Sequence, residues 1–328
     1  MERVALVTGS TSQDASYLFE ILLKKGYKCF GLIRRSASRN LWRIQHILDK
    51  IELVSGDLTD QSSLDNAVRI IKPELVFNLA AQSFVKDSFA SPISTCDITG
   101  LGVVRLLEAI RSNAPNAKMF QASSSEQFGK VQETPQTETT KFYPRSPYGC
   151  AKAFAHYACI NYRESYKMFI SCGIMFNHES KRRGEEFVTR KITLGIARVK
   201  AGLQDKVVLG NLNASRDWGH AADYMNGAYL ALRHSEPTDF VFATGETHTV
   251  KEWLEKTCEI AGVEFWNAYT QDVTFERQSE VDYLRGDSSK ARKLLGWNPT
   301  RTFSDIVKEM YQADADRVQT EPCNTSEV

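Results

Sequence analysis

An alternation running through the first 175 residues constrains this chain more than any other feature. Short apolar runs at 4–8, 28–33, 51–54, 75–79, 119–122 and 169–174 have the length of buried strands. Between them, stretches at 17–25, 62–72, 102–112 and 148–166 repeat apolar residues at helical spacing, as Leu18, Ile21 and Leu22 do. Gly26 closes the first of these stretches and Pro73 stops the second. Strands that alternate with helices predict an α/β fold built on a parallel, doubly wound sheet. Ligands of such sheets sit at the carboxyl ends of the strands, so each segment just after a strand is a candidate for function. Beyond about residue 176 the pattern loosens. Loops rich in Arg, Gly, Asn and His at 177–184, 210–220 and 277–287 separate helical stretches at 250–261 and 288–295.

Composition narrows the class. A length of 328 residues fits one large or two intimate domains, and a net charge of +1 gives no general affinity for nucleic acid. The seven cysteines are odd in number and form no Cys-x-x-Cys pair, which points to free thiols in a reducing compartment. The apolar run at 4–7 reads as a strand and not as a signal peptide or membrane span, so a cytoplasmic location is expected. His46, His156, His234 and His248 form no ligand cluster, and no metal is expected. Trp218, Trp253, Trp266 and Trp297 read as packing residues.

The loop after the first strand is Gly9-Ser10-Thr11-Ser12-Gln13-Asp14-Ala15. A strand, a glycine turn and a helix N-terminus make the dinucleotide cradle of a Rossmann sheet, where bare backbone approaches a pyrophosphate. Here Gly9 remains, while Ser12 and Ala15 stand where two further glycines are usual. Both add atoms, so looser cofactor binding is expected. Gly9, Thr11, Ser12, Gln13 and Asp14 are the expected contacts. After the second strand come Arg34 and Arg35, with Arg43 further on. A guanidinium fork there matches the 2′-phosphate of NADP, whereas NAD sites usually carry an acid. Asp57 and Leu58 suit an adenine contact, and Leu79, Ala80, Ala81 and Ser83 the pyrophosphate and nicotinamide ribose.

Tyr148 and Lys152 are four residues apart on an expected helix and share a face. A neighbouring ammonium would lower the tyrosine pKa and make it a proton acceptor near neutral pH. The fifth strand ends in Ala122-Ser123-Ser124-Ser125-Glu126. Ser124 can hold a substrate hydroxyl during its oxidation. Glu126 can then remove a proton that the new keto group acidifies on the adjacent carbon, which an elimination needs and a simple reduction does not.

Residues 142–149, 177–180, 187–191, 216–220 and 280–282 resemble, in the same order, segments of the GDP-mannose 4,6-dehydratase family of extended short-chain dehydrogenases/reductases. The likeness covers nearly the whole chain. It implies an NADP-binding Rossmann domain over 1–175, to which 212–246 returns, and a smaller, mainly nucleotide-sugar-binding domain over 176–328. Ser124 takes the place of the family's threonine, with Glu126 as base, Tyr148 as proton acceptor and Lys152 as its partner. His178 and Arg183 match cofactor contacts. Arg216 and Arg277 match contacts to the GDP diphosphate, while Ser83, Asn177, Val188, Thr189, Lys191, Gly210 and Glu280 fall in substrate-lining segments. Lys181 and Ser94 depart from the family's usual proline and tyrosine. The implied reaction turns GDP-mannose into GDP-4-keto-6-deoxy-mannose by internal hydride transfer and loss of water, in a homodimer or homotetramer without nucleic-acid or membrane partners. A GDP-heptose dehydratase, a 4-keto reductase and a catalytically silent Rossmann binding protein are the alternatives.

Overall fold

A computed structural model describes residues 3–36, 40–272, 281 and 283–320. Six strands and six helices make the first half: β1 (Val4–Thr8), α1 (Gln13–Lys24), β2 (Lys28–Ile33), β3 (Ile51–Ser55), α2 (Gln61–Ile71), β4 (Leu75–Asn78), α3 (Val85–Ala90), α4 (Pro92–Cys96), α5 (Gly102–Asn113), β5 (Lys118–Ser124), α6 (Pro147–Tyr166) and β6 (Ile170–Met175). There follow β7 (Asn177–Glu179), α7 (Val188–Lys200), β8 (Val207–Leu209), β9 (Ser215–Arg216), β10 (Trp218–His220), α8 (Ala221–Arg233) and β11 (Phe240–Phe242). The chain continues through β12 (His248–Thr249), α9 (Val250–Ala261), α10 (Phe265–Ala268), β13 (Tyr269–Gln271), α11 (Ser289–Leu295) and α12 (Phe303–Gln319).

The sheet order is β11-β6-β5-β4-β1-β2-β3, and every pairing in it is parallel. The expected doubly wound sheet is therefore present. The order reverses between β1 and β4, and the crevice at that switch point lies beside the loop at residues 9–12. Two apolar clusters cover the sheet faces, one around Leu18, Phe77, Phe120 and Trp297, the other around Leu6, Val76, Leu106 and Ile170. A third cluster, around Ile192, Trp253, Leu254 and Ile306, joins α7, α9 and α12 beyond the strand ends. Truncating a fully buried leucine such as Leu18 to Ala costs about 2–5 kcal/mol at sites of this kind.

Local chemistry sets where the helices start. Helix α1 begins at Gln13, before the apolar period becomes visible, because the Ser12 hydroxyl accepts from the Ala15 N–H at 3.1 Å. Ser146 caps α6 in the same way, and Pro147 takes the first turn, where its missing N–H costs nothing. Helices α7 and α12 are not evident in the apolar spacing. Val188, Thr189, Ile192 and Thr193 are β-branched and blur the helical signal of α7. The start of α12 is fixed by a reciprocal cap between Thr302 and Asp305. No helix among the described residues is long and apolar enough to cross a membrane, and no group of three His, Cys, Asp or Glu among them could hold a metal.

Candidate active site

Strand β5 delivers Ala122, Ser123 and Ser124 to the sheet's carboxyl edge, and a tight turn over Ser125–Gln127 follows. The Ser124 hydroxyl accepts from the Glu126 N–H at 3.2 Å, and the Gln127 side-chain oxygen accepts from the Ser124 N–H at 3.3 Å. This reciprocal cap fixes where Glu126 leaves the turn. The start of α6 places Tyr148 in its first turn, where the phenol meets the Ser124 hydroxyl.

The electrostatics correct one expectation. Burial pushes the Tyr148 phenol well above its ordinary value, the Ser124 hydrogen bond opposes this, and the Glu126 charge adds to it. The Lys152 ammonium does not offset burial. It donates to the Ala122 carbonyl oxygen at 2.6 Å and stands 5.7 Å from the centroid of the Tyr148 ring. Burial brings Lys152 itself down to about 8.

The loop after β1 shows why Gly9 is retained. Its φ is +66°, and a Cβ there would come 2.9 Å from the Ala80 nitrogen. Ser12 spends an acceptor site on its own helix, and Ala15 is fully buried in the core. Gln13 and Asp14 turn toward the segment after β6. The Gln13 amide donates to the His178 carbonyl at 3.1 Å and accepts from the Ser180 hydroxyl at 2.8 Å. Asp14 sits 2.9 Å from His178 Nε2, and His178 Nδ1 lies 2.7 Å from the Phe176 carbonyl oxygen. Burial works against the Asp14 charge, but His178 and Gln13 outweigh it and hold the carboxyl at about 2. Burial also disfavours charge on His178, yet Asp14 raises its pKa on balance.

These elements border one cleft with a volume of about 430 Å³. From α1 and its cap come Ser12, Gln13 and Asp14; from the β4 edge, Leu79, Ala81 and Ser83; from β5 and α6, Ser124, Glu126, Tyr148 and Lys152. The far wall carries Asn177, His178, Arg183, Val188 and Lys191, then Gly210 and Arg216. Gly9, Thr11 and Ala80 do not line the cleft; Gly9 packs against Ala80, whose N–H is bonded to Thr8 Oγ1 at 3.1 Å. Asp57 accepts from the Thr59 N–H and hydroxyl, and Leu58 is buried beneath Gly102. Arg34 and Arg35 are exposed beyond β2. Arg277 and Glu280 lie outside the described residues.

The cleft also holds Arg43, noted in the sequence after the second strand, and further residues that the sequence does not single out. Arg43 lines it, donating to the Arg182 carbonyl at 2.7 Å and the Thr11 carbonyl at 3.3 Å. Glu179 is buried on the wall, accepting from Thr189 Oγ1 at 2.7 Å and paired with Arg183 at 3.1 Å. Phe84 and Phe187 meet edge to face at 5.8 Å, and Lys86 lines the same side. Their signal is position, since 84–86 directly follow the β4 loop. Trp218, read as packing, does pack on Trp253 at 5.1 Å but also borders the cleft. Burial, and after it the Lys86 charge, lowers the pKa of Lys191, so that region favours an anion.

Comparison with known proteins fits this geometry. The family described as GDP-mannose 4,6 dehydratase matches residues 6–310. The chain belongs to that family. It is 48% identical to GDP-mannose 4,6 dehydratase 1 of Arabidopsis thaliana, over 97% of this chain and 91% of the relative. With GDP-mannose 4,6 dehydratase of Cricetulus griseus it shares 46% identity over 98% of this chain and 93% of the relative. Among solved structures, UDP-glucose 4-epimerase of Thermus thermophilus, in complex with NAD, superposes with a TM-score of 0.83 at 26% identity, covering 95% of this chain and 98% of that one. The GDP-mannose 4,6-dehydratase family thus accounts for the chain from β1 into α12, while the epimerase shares its architecture.

Proposed function

We infer that the chain converts GDP-mannose to GDP-4-keto-6-deoxy-mannose, with a nicotinamide dinucleotide as resident cofactor. The observation that carries the reading is a carboxylate, Glu126, held one turn from the Ser124–Tyr148 pair on the wall of a single cleft. The residues fit such a cofactor: a bare-backbone cradle at Gly9 lies beside the N-terminus of α1, and the Asp14 charge there is matched by His178. When bound, the cofactor supplies a hydride acceptor at C4 and later a hydride donor at C6.

The protein groups handle the protons. Ser124 holds the O4 hydroxyl, and Tyr148 accepts its proton as C4 is oxidised; because burial keeps the phenol protonated, this step would need the charge of the bound cofactor to bring Tyr148 to the phenolate. Glu126 takes the C5 proton that the keto group has acidified and gives a proton to the departing C6 hydroxyl, which leaves as water; a proton from solvent returns to C5 when C6 is reduced, and Tyr148 releases the O4 proton. Ser12, Gln13, Asp14, Leu79, Ala81, Ser83, His178 and Arg183 hold the cofactor. Asn177, Val188, Lys191, Gly210 and Arg216 hold the GDP-sugar, with the cations toward its diphosphate. Two exposed guanidinium groups after β2, Arg34 and Arg35, favour NADP over NAD.

Self-association belongs to the same reading. Ile93, Leu101, Phe154 and Tyr157 are each about half exposed or more, on neighbouring α4, the turn leading into α5, and α6. The free thiols among the described cysteines suit the cytoplasm. The test is incubation with GDP-mannose and NADP⁺ without any reductant. A 4-keto-6-deoxy sugar supports the reading, and unchanged substrate with cofactor present overturns it.

A further inference from the structure

Helix α6 carries three polar groups at four-residue spacing, Tyr148, Lys152 and His156, on the face turned to β5. Lys152 reaches the Ala122 carbonyl, and His156 Nδ1 lies 2.9 Å from the Ser123 hydroxyl oxygen. The helix therefore grips two consecutive residues of β5 immediately ahead of Ser124. Ser123 is nearly buried, yet it forms part of the cleft wall. His156 is 2% exposed and enclosed on every side. Its Nε2 stands 3.8 Å from Asp239, whose carboxylate takes two bonds from Arg163 at 2.7 and 3.0 Å and one from the Cys172 N–H at 3.2 Å. Lys290 of α11 holds the Asp239 carbonyl at 2.8 Å. The Cys172 sulfur of β6 lies against the ring, with Cys159 of α6 beside it. Phe142 closes the remaining side edge-on at 5.1 Å.

A serine hydroxyl has one hydrogen and two lone pairs, and an imidazole has two distinct nitrogens. When the ring is charged, Nδ1–H donates to Ser123, and the serine hydrogen is free to point into the cleft. When the ring is neutral with its hydrogen on Nε2, facing Asp239, Nδ1 accepts the serine hydrogen. The cleft then meets only lone pairs. We propose that His156 is a positioning residue that sets the hydrogen-bonding polarity of Ser123 toward the bound ligand, offering a donor to a ligand carbonyl or phosphate oxygen when charged and an acceptor when neutral. Burial and the Arg163 charge disfavour the charged ring, while the Asp239 carboxylate favours it, with a net upward direction. On this proposal Ser123 is a donor toward the cleft while His156 is charged and an acceptor when the ring is neutral with its hydrogen on Nε2.

The kinetic arm of the test rests on the dehydratase reading, and the spectroscopic arm stands without it. The His156 nitrogens are followed by NMR in histidine-labelled protein from about pH 5 to 9, for wild type and Ser123→Ala, each with NADP⁺ bound and without it. Ligand binding should move the His156 titration in wild type and leave it unmoved in Ser123→Ala. In parallel, kcat and KM are measured against pH for wild type, Ser123→Ala and His156→Gln. Wild type should show an inflection at the His156 pKa, across which kcat/KM changes about fivefold, the worth of one hydrogen bond. Both variants should lose that inflection, and the double variant should be no worse than either single one. A His156 titration indifferent to ligand in wild type, an inflection that survives in Ser123→Ala, or additive losses in the double variant overturns the proposal. Should His156→Gln fail to fold, the Ser123→Ala comparison decides alone. Absence of dehydrated product in wild type would overturn the dehydratase reading and leave the spectroscopic arm intact.

Discussion

The imidazole of His178 bridges the Asp14 carboxylate, 2.9 Å from Nε2, and the Phe176 carbonyl oxygen, 2.7 Å from Nδ1. Both neighbours only accept, so the geometry favours hydrogen on both ring nitrogens, and Asp14 raises the ring's pKa against the effect of burial. The pair bolts the loop at the start of α1 to the segment after β6.

Its pH dependence follows in sign. Asp14 titrates at about 2 in the fold against an ordinary 3.8, so its contribution is present above pH 3.8 and is lost as pH falls toward 2. His178 is raised above 6.5, so its contribution is complete below that value and lost as pH rises through the folded pKa. Asp14→Asn should cost about 1.5–3 kcal/mol between these limits, the worth of a charged hydrogen bond. Thermal melts across pH check this. A variant that melts with the wild type at about pH 5 contradicts the pairing.

Lys152 behaves differently. Its folded pKa of about 8 lies below the ordinary 10.5, so the fold binds this proton less well than the unfolded chain does. Wild-type stability should therefore rise as pH climbs from about 8 to 10.5. Lys152→Met should raise stability at neutral pH by about 1–2 kcal/mol, because it removes a buried cation at the loss of one bond to Ala122. Activity should fall sharply in the same variant. Denaturant titration beside a rate assay separates the two, and a less stable Lys152→Met protein would count against the burial argument.

The glycine-poor loop gives a prediction with two readouts. Ser12 caps α1 and Ala15 packs in the core, so both have become structural. Ser12→Gly with Ala15→Gly should cost about 1 kcal/mol, mostly from the glycine in the helix. Purified wild-type protein should gain activity when NADP⁺ is added, because the Ser12 hydroxymethyl crowds the cradle. Calorimetric titration of both proteins with NADP⁺ provides the check. Tighter binding by the double variant is expected, and weaker binding would make Ser12 a phosphate donor instead.

Glu126→Gln should stop water loss while C4 oxidation continues. The diagnostic is deuterium from solvent entering C5. Exchange at the wild-type rate in this variant would remove Glu126 from its role.

Much of this architecture is legible in the sequence because buried parallel strands and amphipathic helices write their periods plainly; the runs at 4–8 and 28–33 coincide with β1 and β2. Tyr148 and Lys152 are likewise readable from their spacing. What is not readable depends on long-range folding. That Lys152 would turn to Ala122 and not toward the Tyr148 phenol is decided by how α6 packs on β5. His156 reads as bland until the fold brings Ser123, Cys172 and Asp239 around it. Glu179 and Arg43 enter the cleft through contacts with Thr189, Arg183 and Thr11 that no local pattern encodes.

The central claim is that one hydride leaves C4 and returns to C6 of the same nucleotide sugar while Glu126 and Tyr148 manage the protons. The direct measurement uses GDP-mannose carrying deuterium at C4, with NADP⁺ far below the substrate concentration. The account predicts full turnover to the 4-keto-6-deoxy sugar with the deuterium recovered at C6. Deuterium accumulating in reduced cofactor, with conversion stopping at one equivalent of NADP⁺, would contradict it.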